Sequence, residues 1–490
     1  MRKEHRDVAF LVAALLVGAA VLYLSSVWGL EPHGRCLLAT FSTMVIVWGT
    51  GCMSLPVSCL LLLVLMTFSL SGPGGSGGLD MGAALRLSLQ GFAGLVPITI
   101  VAGTAFAAVV RSSGLAERIV FCIMKLAGRR SGGATPGGIL AAFFMADSFA
   151  SIMIPSAIGR CAMYLAIVEG FEKPLKFGKV DGPYPVNPFQ KAVWISVSLV
   201  TLIMGGAFLT GASLTIMVGG MIEQGTGVPQ FWMTSFALLY PPALAVMAVS
   251  WFLLLRLFPS TVERIDSTFV NDELKRMGTL TYKEKYCLAV FVVMVLLFLT
   301  DTIHKVPPPM VLVAASLALF LPGIGPGDWK VEGKHIGWDG FFIIGVALGF
   351  SNVLMQYGVM KFIAAKISLV SIPSFPVALL LMVGATLLIR LGVASITASA
   401  ALIVPVTAAV GKAAGLDTFQ IVSLCWVAYI FCRMSFFLPH QSVEVLMSYG
   451  YGGYTKNDLA KAAFCIIPSA FAIYFVWGVF CMPGILQLLS

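Results

Sequence analysis

The chain has 490 residues, of which 59% are hydrophobic and only 11% are charged, and its formal net charge is +9. Soluble globular proteins carry about 25% charged residues, so this composition excludes an ordinary soluble domain. The basic residues lie mostly in short loops between apolar runs, which is typical of the cytoplasmic loops of membrane proteins and argues against nucleic acid as a partner.

Apolar runs of about twenty residues, the length that crosses a bilayer core, recur along the chain. The first follows a short basic N-terminus, is longer than the core of a signal peptide and lacks a clear cleavage site. We therefore expect residues 1–34 to form a retained N-terminal helix. Together the runs predict an all-α polytopic membrane protein with about eleven transmembrane helices in a lipid bilayer.

Motifs for metal, cofactor or catalytic sites are missing from the sequence. The ten cysteines form no C-x-x-C pair and lie mostly inside apolar runs, which predicts reduced thiols. There is no H-E-x-x-H, no G-x-S-x-G and no nucleotide-binding fingerprint. We therefore expect no cofactor and no enzymatic activity, and the energy for uphill transport must come from an ion gradient or from exchange.

A charged linker, residues 258–285, separates two halves of similar plan, residues 35–257 and 286–490. Each half contains a patch of small residues that runs into an apolar-Pro step, ending at Pro155 in the first half and at Pro405 in the second. A long apolar run follows each patch and is interrupted by Gly, Ser, Thr or Pro, at about residues 192–221 and 421–447. Paired interrupted segments at matching positions indicate the binding site of a secondary transporter.

Non-helical backbone at membrane depth must face protein or a watery cavity, because lipid cannot satisfy its polar groups. We therefore predict two inverted repeats, each with one broken helix and one re-entrant hairpin, the hairpins at about residues 133–170 and 372–412. This topology places most of the 31 Lys and Arg residues on the inside. It predicts a multi-pass protein of the cell (inner) membrane with a cytoplasmic N-terminus and an extracytoplasmic C-terminus.

At these patches the sequence resembles the divalent anion–sodium symporter family, the carriers of dicarboxylates, citrate and sulfate, from about Arg35 to Leu486. The family has a Ser-Asn-Thr triplet at each hairpin tip, followed by small residues and an apolar-Pro step. Ser395–Thr397 matches the second triplet except that Ile396 replaces Asn, whereas Met145–Asp147 aligns with the first triplet and matches none of it. The resemblance implies the family fold, sodium as the coupling ion and a homodimer.

In the family the triplets bind substrate carboxylates, and backbone carbonyls and hydroxyls beside them hold sodium. The resemblance, together with the residue types present, gives two sets of candidate site residues. For the anion they are Ser395, Ile396, Thr397, Arg433, Arg390, Ser148, Asp147 and His440. For sodium they are Asp147, Ser151, Gly206, Thr210, Ser213, Ser399 and Pro439.

Three arginines, Arg160, Arg390 and Arg433, stand inside otherwise apolar segments. A charge at membrane depth is costly and indicates function, and a guanidinium binds carboxylate, sulfonate or sulfate through two parallel N–H bonds. The alternative is snorkelling or structural pairing, which we expect for Arg160. Asp147 could bind sodium, titrate as a proton carrier or pair with an arginine. His440 could bind an anion or a proton, or be a hydrogen-bonded loop residue.

The sequence thus predicts a secondary active transporter of a small anion of the dicarboxylate, sulfonate or sulfate class, sodium-coupled and working by alternating access. An anion exchanger is one alternative. A cation/proton antiporter or oxyanion permease of related fold is another, and it would need Asp147 but not Arg433. A membrane-embedded enzyme lacks its catalytic constellation here, and a channel would show no counterflow.

Overall fold

The computed structural model describes residues 3–27, 29–71, 78–128, 135–172, 177–178, 186–260, 268–360, 362, 372–393 and 395–489. Parts of the predicted segments lie outside these residues: 1–2 and 28 of the N-terminal helix, 133–134 and 394 of the hairpins, and 261–267 of the linker. Within the described ranges every regular element is a helix, which confirms the predicted all-α class.

Eleven helices precede the charged linker among the described residues. They are α1 Lys3–Leu24, α2 Pro32–Thr50, α3 Leu55–Ser71, α4 Met81–Leu89, α5 Leu95–Ser112, α6 Leu115–Gly128, α7 Pro136–Met153, α8 Ala157–Glu172, α9 Pro188–Gly205, α10 Ser213–Thr226 and α11 Trp232–Leu257. Short 3-10 turns lie at Ser25–Val27 and Gln90–Ala93.

The linker and the second half contain the remaining described helices. They are α12 Thr268–Met277, α13 Tyr282–Leu299, α14 Asp301–His304, α15 Pro308–Leu319, α16 Trp329–Glu332, α17 Trp338–Gln356, α18 Phe375–Gly392, α19 Ile396–Ala413, α20 Thr418–Met434, α21 Val443–Gly450, α22 Lys456–Phe480 and α23 Met482–Leu489. Further 3-10 turns lie at Gly333–His335 and Pro439–Gln441.

Nine of the described helices are long and apolar enough to cross a membrane: α1, α5, α7, α9, α11, α17, α18, α19 and α22. Helices α3, α15 and α20 are apolar but shorter. Leucine, valine, isoleucine and phenylalanine fill these helices, and a hydrocarbon surrounding favours helices because every backbone bond is satisfied within the segment. The chain is a multi-pass membrane protein.

Both predicted broken helices and both hairpins are present as helix pairs. Helices α7 and α8 are joined by Ile154–Ser156, and residues 393 and 395 lie between α18 and α19. Helices α9 and α10 are separated by residues 206–212, and α20 and α21 by residues 435–442. We call each hairpin turn, together with the break in the same half, a junction: the first is 154–156 with 206–212, and the second is 393 and 395 with 435–442.

Glycine accounts for the first break. Helix α9 ends at Gly205, and the chain then turns so tightly that a Cβ on Gly211 would lie 2.6 Å from the carbonyl oxygen of Met204. A side chain cannot approach backbone that closely, so glycine is required there. In the second break, Pro439 supplies no backbone N–H and begins the 3-10 turn, and Ser442 caps α21 by accepting from the N–H of Val445 at 3.1 Å.

The two halves repeat the same packing. The hairpin helices α7 and α8 pack against α9, and α18 and α19 pack against α20. The second segment of each broken helix crosses to the other half, where α10 packs on α19 and α20, and α21 packs on α8 and α9. Inverted repeats would produce this matched packing, and the repeat relation itself stays a prediction.

The first segments of the broken helices lie at the centre. In α9, 89% of the 18-residue membrane-spanning segment is buried, compared with 11% of the corresponding segment of α1 at the periphery. In α20 every residue from Ile421 to Met434 is buried. Both helices end at the breaks; the first break is buried throughout, whereas Leu438 and His440 in the second break are exposed.

Candidate substrate and cation site

The first hairpin turns later in the chain than the triplet alignment predicts. Helix α7 continues through Asp147 to Met153, and the turn is Ile154–Ser156. The aligned tip at Met145–Asp147 is therefore wrong by about two helical turns. The reason is Pro155, which lacks an N–H and disfavours helical conformation in the residue before it, whereas residues 146–153 contain no helix breaker.

Three predicted site residues consequently lie in the last turns of α7. Asp147 and Ser151 are fully buried and Ser148 nearly so. The hydroxyl of Ser148 donates to the carbonyl of Phe144 at 3.2 Å, and that of Ser151 donates to the carbonyl of Ser148 at 3.2 Å. Both serines thus use their protons within their own helix.

Arg160 ties the first junction together. Its Nε donates to Asp147 Oδ1 at 2.7 Å, and both side chains are completely buried. Its Nη1 donates to the carbonyl oxygen of Ile154 in the turn at 2.5 Å and to that of Gly211 in the break at 2.8 Å. Asp147 therefore pairs with an arginine, and one guanidinium bonds the hairpin turn to the helix break.

A second link joins the same turn and break. Both the backbone N–H and the hydroxyl of Ser213 donate to the carbonyl of Pro155, at 3.1 and 2.9 Å. Asp147 Oδ2, Arg160 Nη2 and the hydroxyl of Tyr164 are buried without a hydrogen-bond partner among the described residues. Because buried polar atoms are normally paired, this junction has capacity for a further polar group.

Ser395, Ile396, Thr397 and Ser399 lie where the second hairpin turns, as predicted. The hydroxyl of Ser395 caps α19 by accepting from the N–H of Ala398 at 3.2 Å. Ile396 is buried and Thr397 half-buried. Ser399 is fully buried, and its hydroxyl donates to the carbonyl of Ser395 at 2.9 Å.

Arg390 bonds the turn and the break of the second junction to each other, as Arg160 does in the first. It is fully buried, and its Nη1 donates to the carbonyl of Val393 in the turn at 2.5 Å and to the Ser399 hydroxyl at 3.4 Å. Its Nη2 donates to the carbonyl of Gln441 in the break. In return, the Gln441 amide donates to the Arg390 carbonyl at 2.8 Å, and its oxygen accepts from the N–H of Leu438 at 2.8 Å.

The two guanidinium groups take equivalent positions. Arg160 stands four residues after the cap Ser156, and Arg390 contacts Ser399, which stands four residues after the cap Ser395. Each bonds one turn carbonyl and one break carbonyl of its own half. The sequence does not show this equivalence, because one arginine follows its turn and the other precedes it.

Arg433 connects the two broken helices. Its Nε donates to the carbonyl of Leu202 at 3.0 Å and its Nη2 to that of Thr201 at 3.1 Å, in the last turn of α9. The guanidinium lies against Gly205, where a Cβ would be 1.9 Å from Nη2. Cations favour helix C-termini, so Arg433 stabilises the end of α9. It also places a positive charge beside the first break.

The remaining predicted residues are spread over the two breaks. Gly206 caps the end of α9, Thr210 accepts a hydrogen bond from the Trp232 indole at 2.9 Å, and Pro439 is buried. His440 is exposed beside it. Groups of three or more His, Cys, Asp or Glu side chains that could hold a metal ion do not occur among the described residues.

Sequence reasoning missed Ser156. Its hydroxyl caps α8 by accepting from the N–H of Gly159 at 3.1 Å, as Ser395 caps α19. Neither hydroxyl donates a hydrogen bond to another described residue, so both protons remain available to an anion. The signal was the serine directly after Pro155, since a helix restarting after a proline needs a cap.

Comparisons with known proteins identify the family of the chain as a whole. The family model described as the sodium:sulfate symporter transmembrane region matches residues 5–483. A relative from Cupriavidus necator, named membrane protein, is 25% identical over 92% of this chain and 87% of its own length. A sodium-dependent dicarboxylate transporter, SdcS, from Staphylococcus saprophyticus is 20% identical over 72% of this chain and 71% of its own.

Among solved structures, the Alcanivorax borkumensis YdaH transporter has a similar fold. Its TM-score is 0.57 at 13% identity, covering 87% of this chain and 96% of that one. The family match spans nearly the entire chain, including both junctions. The chain therefore belongs to the sodium:sulfate symporter family and is a membrane transporter rather than an enzyme, as the sequence predicts.

Proposed function

We propose that this transporter carries a small anion of the dicarboxylate, sulfonate or sulfate class across the cell (inner) membrane by alternating access. The two junctions form its binding region, with the free hydroxyls of Ser156 and Ser395 and the arginines around them as anion contacts. Family membership and the dicarboxylate-transporter relatives favour sodium as the coupling ion. A homodimer with a cytoplasmic N-terminus belongs to the same proposal.

Two buried guanidinium groups that lack a carboxylate partner support an anionic substrate most directly. Arg390 is 0% exposed and Arg433 is 2% exposed, and neither has a carboxylate within 4 Å among the described residues. The carboxylate of Glu444 attracts Arg390 electrostatically but lies more than 4 Å away. A buried charge without a counter-ion is costly, and an anionic substrate bound at the junctions would offset that cost.

Anion exchange is a second candidate, favoured by the bonds of Arg160 and Arg390. Carbonyls at the ends of interrupted helices are the groups that hold coupling cations in transporters. Here a guanidinium already bonds the turn and break carbonyls of both junctions. A covalently attached cation cannot leave with the substrate, so it would support exchange of one anion for another without sodium.

Uptake into proteoliposomes tests both candidates. Labelled mono- and dicarboxylates, sulfonates and sulfate are offered with an inward sodium gradient or with choline, to vesicles that are empty or preloaded with the unlabelled anion. Accumulation only with sodium establishes symport, and uptake that requires preloading but not sodium establishes exchange. If no anion is carried under any condition while protons move, the anion proposal is wrong and the antiporter alternative holds.

Uptake by single-residue variants in the same experiment tests the role of individual residues. Arg390→Gln should abolish anion uptake, and Arg86→Gln, which changes an exposed arginine on α4, should not. Arg390→Lys retains the charge but loses the two-pronged geometry, so we expect partial activity. Uptake by Arg390→Gln at the wild-type rate would refute the role of the second junction.

A further inference from the structure

A cavity of about 50 Å³ opens beside the first hairpin turn. One wall is α5, with Thr104 and Arg111, and the opposite wall is the turn and the start of α8, with Ser156 and Gly159. His335, at the end of the 3-10 turn before α17, contributes a third side. The cavity thus lies between the hairpin and a helix that belongs to neither junction.

Every ionisable side chain that lines this cavity is basic or potentially basic. Arg111 and His335 are both exposed, and neither side chain forms a hydrogen bond or ion pair with another described residue. The free donor of the Ser156 hydroxyl faces the same space, and the first backbone N–H groups of α8 begin behind it. Carboxylate side chains do not line the cavity among the described residues.

The walls are held in place on the side of His335. The N–H of Gly337, two residues further along, donates to the Thr104 hydroxyl at 3.2 Å, which fixes this segment to α5. Arg111 lies two turns further along the same face of α5. The arginine and the histidine are therefore positioned on one rigid wall, facing the serine of the hairpin.

Volume limits what can enter. About 10–15 Å³ of such volume holds one water molecule, so a cavity of about 50 Å³ has room for a compact carboxylate, sulfonate or sulfate group. Guanidinium and imidazole groups bind such oxyanions through charge-assisted hydrogen bonds. A neutral or cationic ligand would find few acceptors there.

We propose that this cavity is an anion-docking site, in which Arg111, His335 and Ser156 hold one oxyanion group of the substrate between the first hairpin turn and the solvent. The inference rests on the proposed function, because it assigns a further position to the same anion. Since one wall belongs to the hairpin and the other to α5, the site is complete only when the two are in the relative position seen here. It therefore serves entry and release on one side of the membrane.

A docking site on one side of the membrane should change the apparent anion affinity on that side only, whereas a residue of the central binding region should change it on both sides. In proteoliposomes of uniform orientation, the half-saturating concentrations of labelled succinate and sulfate are measured from each side. Arg111→Gln should raise the value about tenfold on the side that Arg111 faces, because one charge-assisted hydrogen bond is lost, and should leave the other side unchanged. His335→Gln should give a smaller shift on the same side, and Arg86→Gln none.

Binding to the purified protein provides an arm that does not depend on transport. Succinate and sulfate should raise the melting temperature of the wild type above that in chloride of equal ionic strength, and Arg111→Gln should reduce this rise. Unchanged half-saturating concentrations in Arg111→Gln, or equal changes on both sides, would overturn the docking site while transport itself persists. If the wild type carries no anion, the proposed function is wrong. If succinate and sulfate raise the melting temperature equally in the wild type and Arg111→Gln, the docking site is wrong as well.

Discussion

The buried pair of Asp147 and Arg160 gives the sharpest energetic test. Removing one member of a buried ion pair typically costs about 3 to 5 kcal/mol, because a charge is left unpaired. Asp147→Asn should therefore destabilise the protein by about 3 kcal/mol. Arg160→Gln should cost more, about 6 kcal/mol or above, since it also removes the bonds to the carbonyls of Ile154 and Gly211, each contributing about 1.5 to 3 kcal/mol.

The double variant completes the cycle. With both charges gone, neither side chain is left as an unpaired ion, so the double variant should lose about 3 kcal/mol less than the sum of the single variants. Unfolding by SDS titration in mixed micelles measures the free energies, and counterflow in proteoliposomes measures the consequence for transport. Additivity of the two single effects within about 0.5 kcal/mol would show that the 2.7 Å contact contributes no coupling and would refute the reasoning.

Three further predictions concern single positions. Gly205→Ala places a Cβ 1.9 Å from a guanidinium nitrogen, so it should cost about 1 to 3 kcal/mol, measured as a lower melting temperature with slower uptake; an unchanged melting temperature would contradict the packing. Burial raises the pKa of Glu284, but hydrogen bonds from Arg118 and Thr281 outweigh this and hold the pKa below its usual range. The ion pair to Arg118, at 2.6 Å, thus adds stability above the ordinary glutamate pKa that is lost as pH falls through the lowered value. Glu284→Gln should remove this acid-side loss in melting curves from pH 7 to about pH 3. Ser156→Ala should raise the half-saturating anion concentration about tenfold and Ser156→Thr should not, so equal effects of the two would exclude the hydroxyl as a donor.

The chain positions of the broken helices could be predicted because their cause is local. Gly205 and Gly206 interrupt a run that is otherwise apolar, and Pro439 does the same in the second half. Glycine and proline end helices through their own backbone properties, whatever surrounds them. The structure accordingly ends α9 at Gly205 and begins the 3-10 turn of the second break at Pro439.

The position of the first hairpin turn could not be predicted from the alignment of small-residue patches. Pro155 lies in the turn itself, whereas Pro405 lies inside α19, so aligning the two prolines shifts the first half against the second. The hydrogen-bond caps correspond better, because Ser156 and Ser395 both precede the second hairpin helix. Capping chemistry depends on the helix start, and composition does not locate that start.

The partners of the buried arginines were also beyond sequence reasoning. Asp147 and Arg160 are thirteen residues apart on two different helices of the hairpin, and only the turn between them brings the side chains to 2.7 Å. Arg433 reaches carbonyls more than two hundred residues away in the chain. A buried charge predicts a partner, but its identity depends on tertiary packing.

The three arginines together indicate which parts of the protein move as one body. Arg160 joins the first hairpin to the first break, Arg390 joins the second hairpin to the second break, and Arg433 joins α20 to the end of α9. Across the broken helices, the hydroxyls of Thr215 and Tyr429 are 2.6 Å apart. Buried charge-assisted bonds are expensive to break, so these elements should stay together during transport.

The boundary of this body contains cavities. Cavities of about 50, 10 and 170 Å³ lie along it, between the hairpins or α10 on one side and α2, α5 or α17 on the other. Apolar side chains line most of the second and third, and voids of this kind forfeit the close contacts that hold a core rigid. Alternating access requires a surface along which one part slides past another without loss of hydrogen bonds. The hairpins and broken helices are therefore expected to move against α5 and α17, and the anion held at the junctions would move with them.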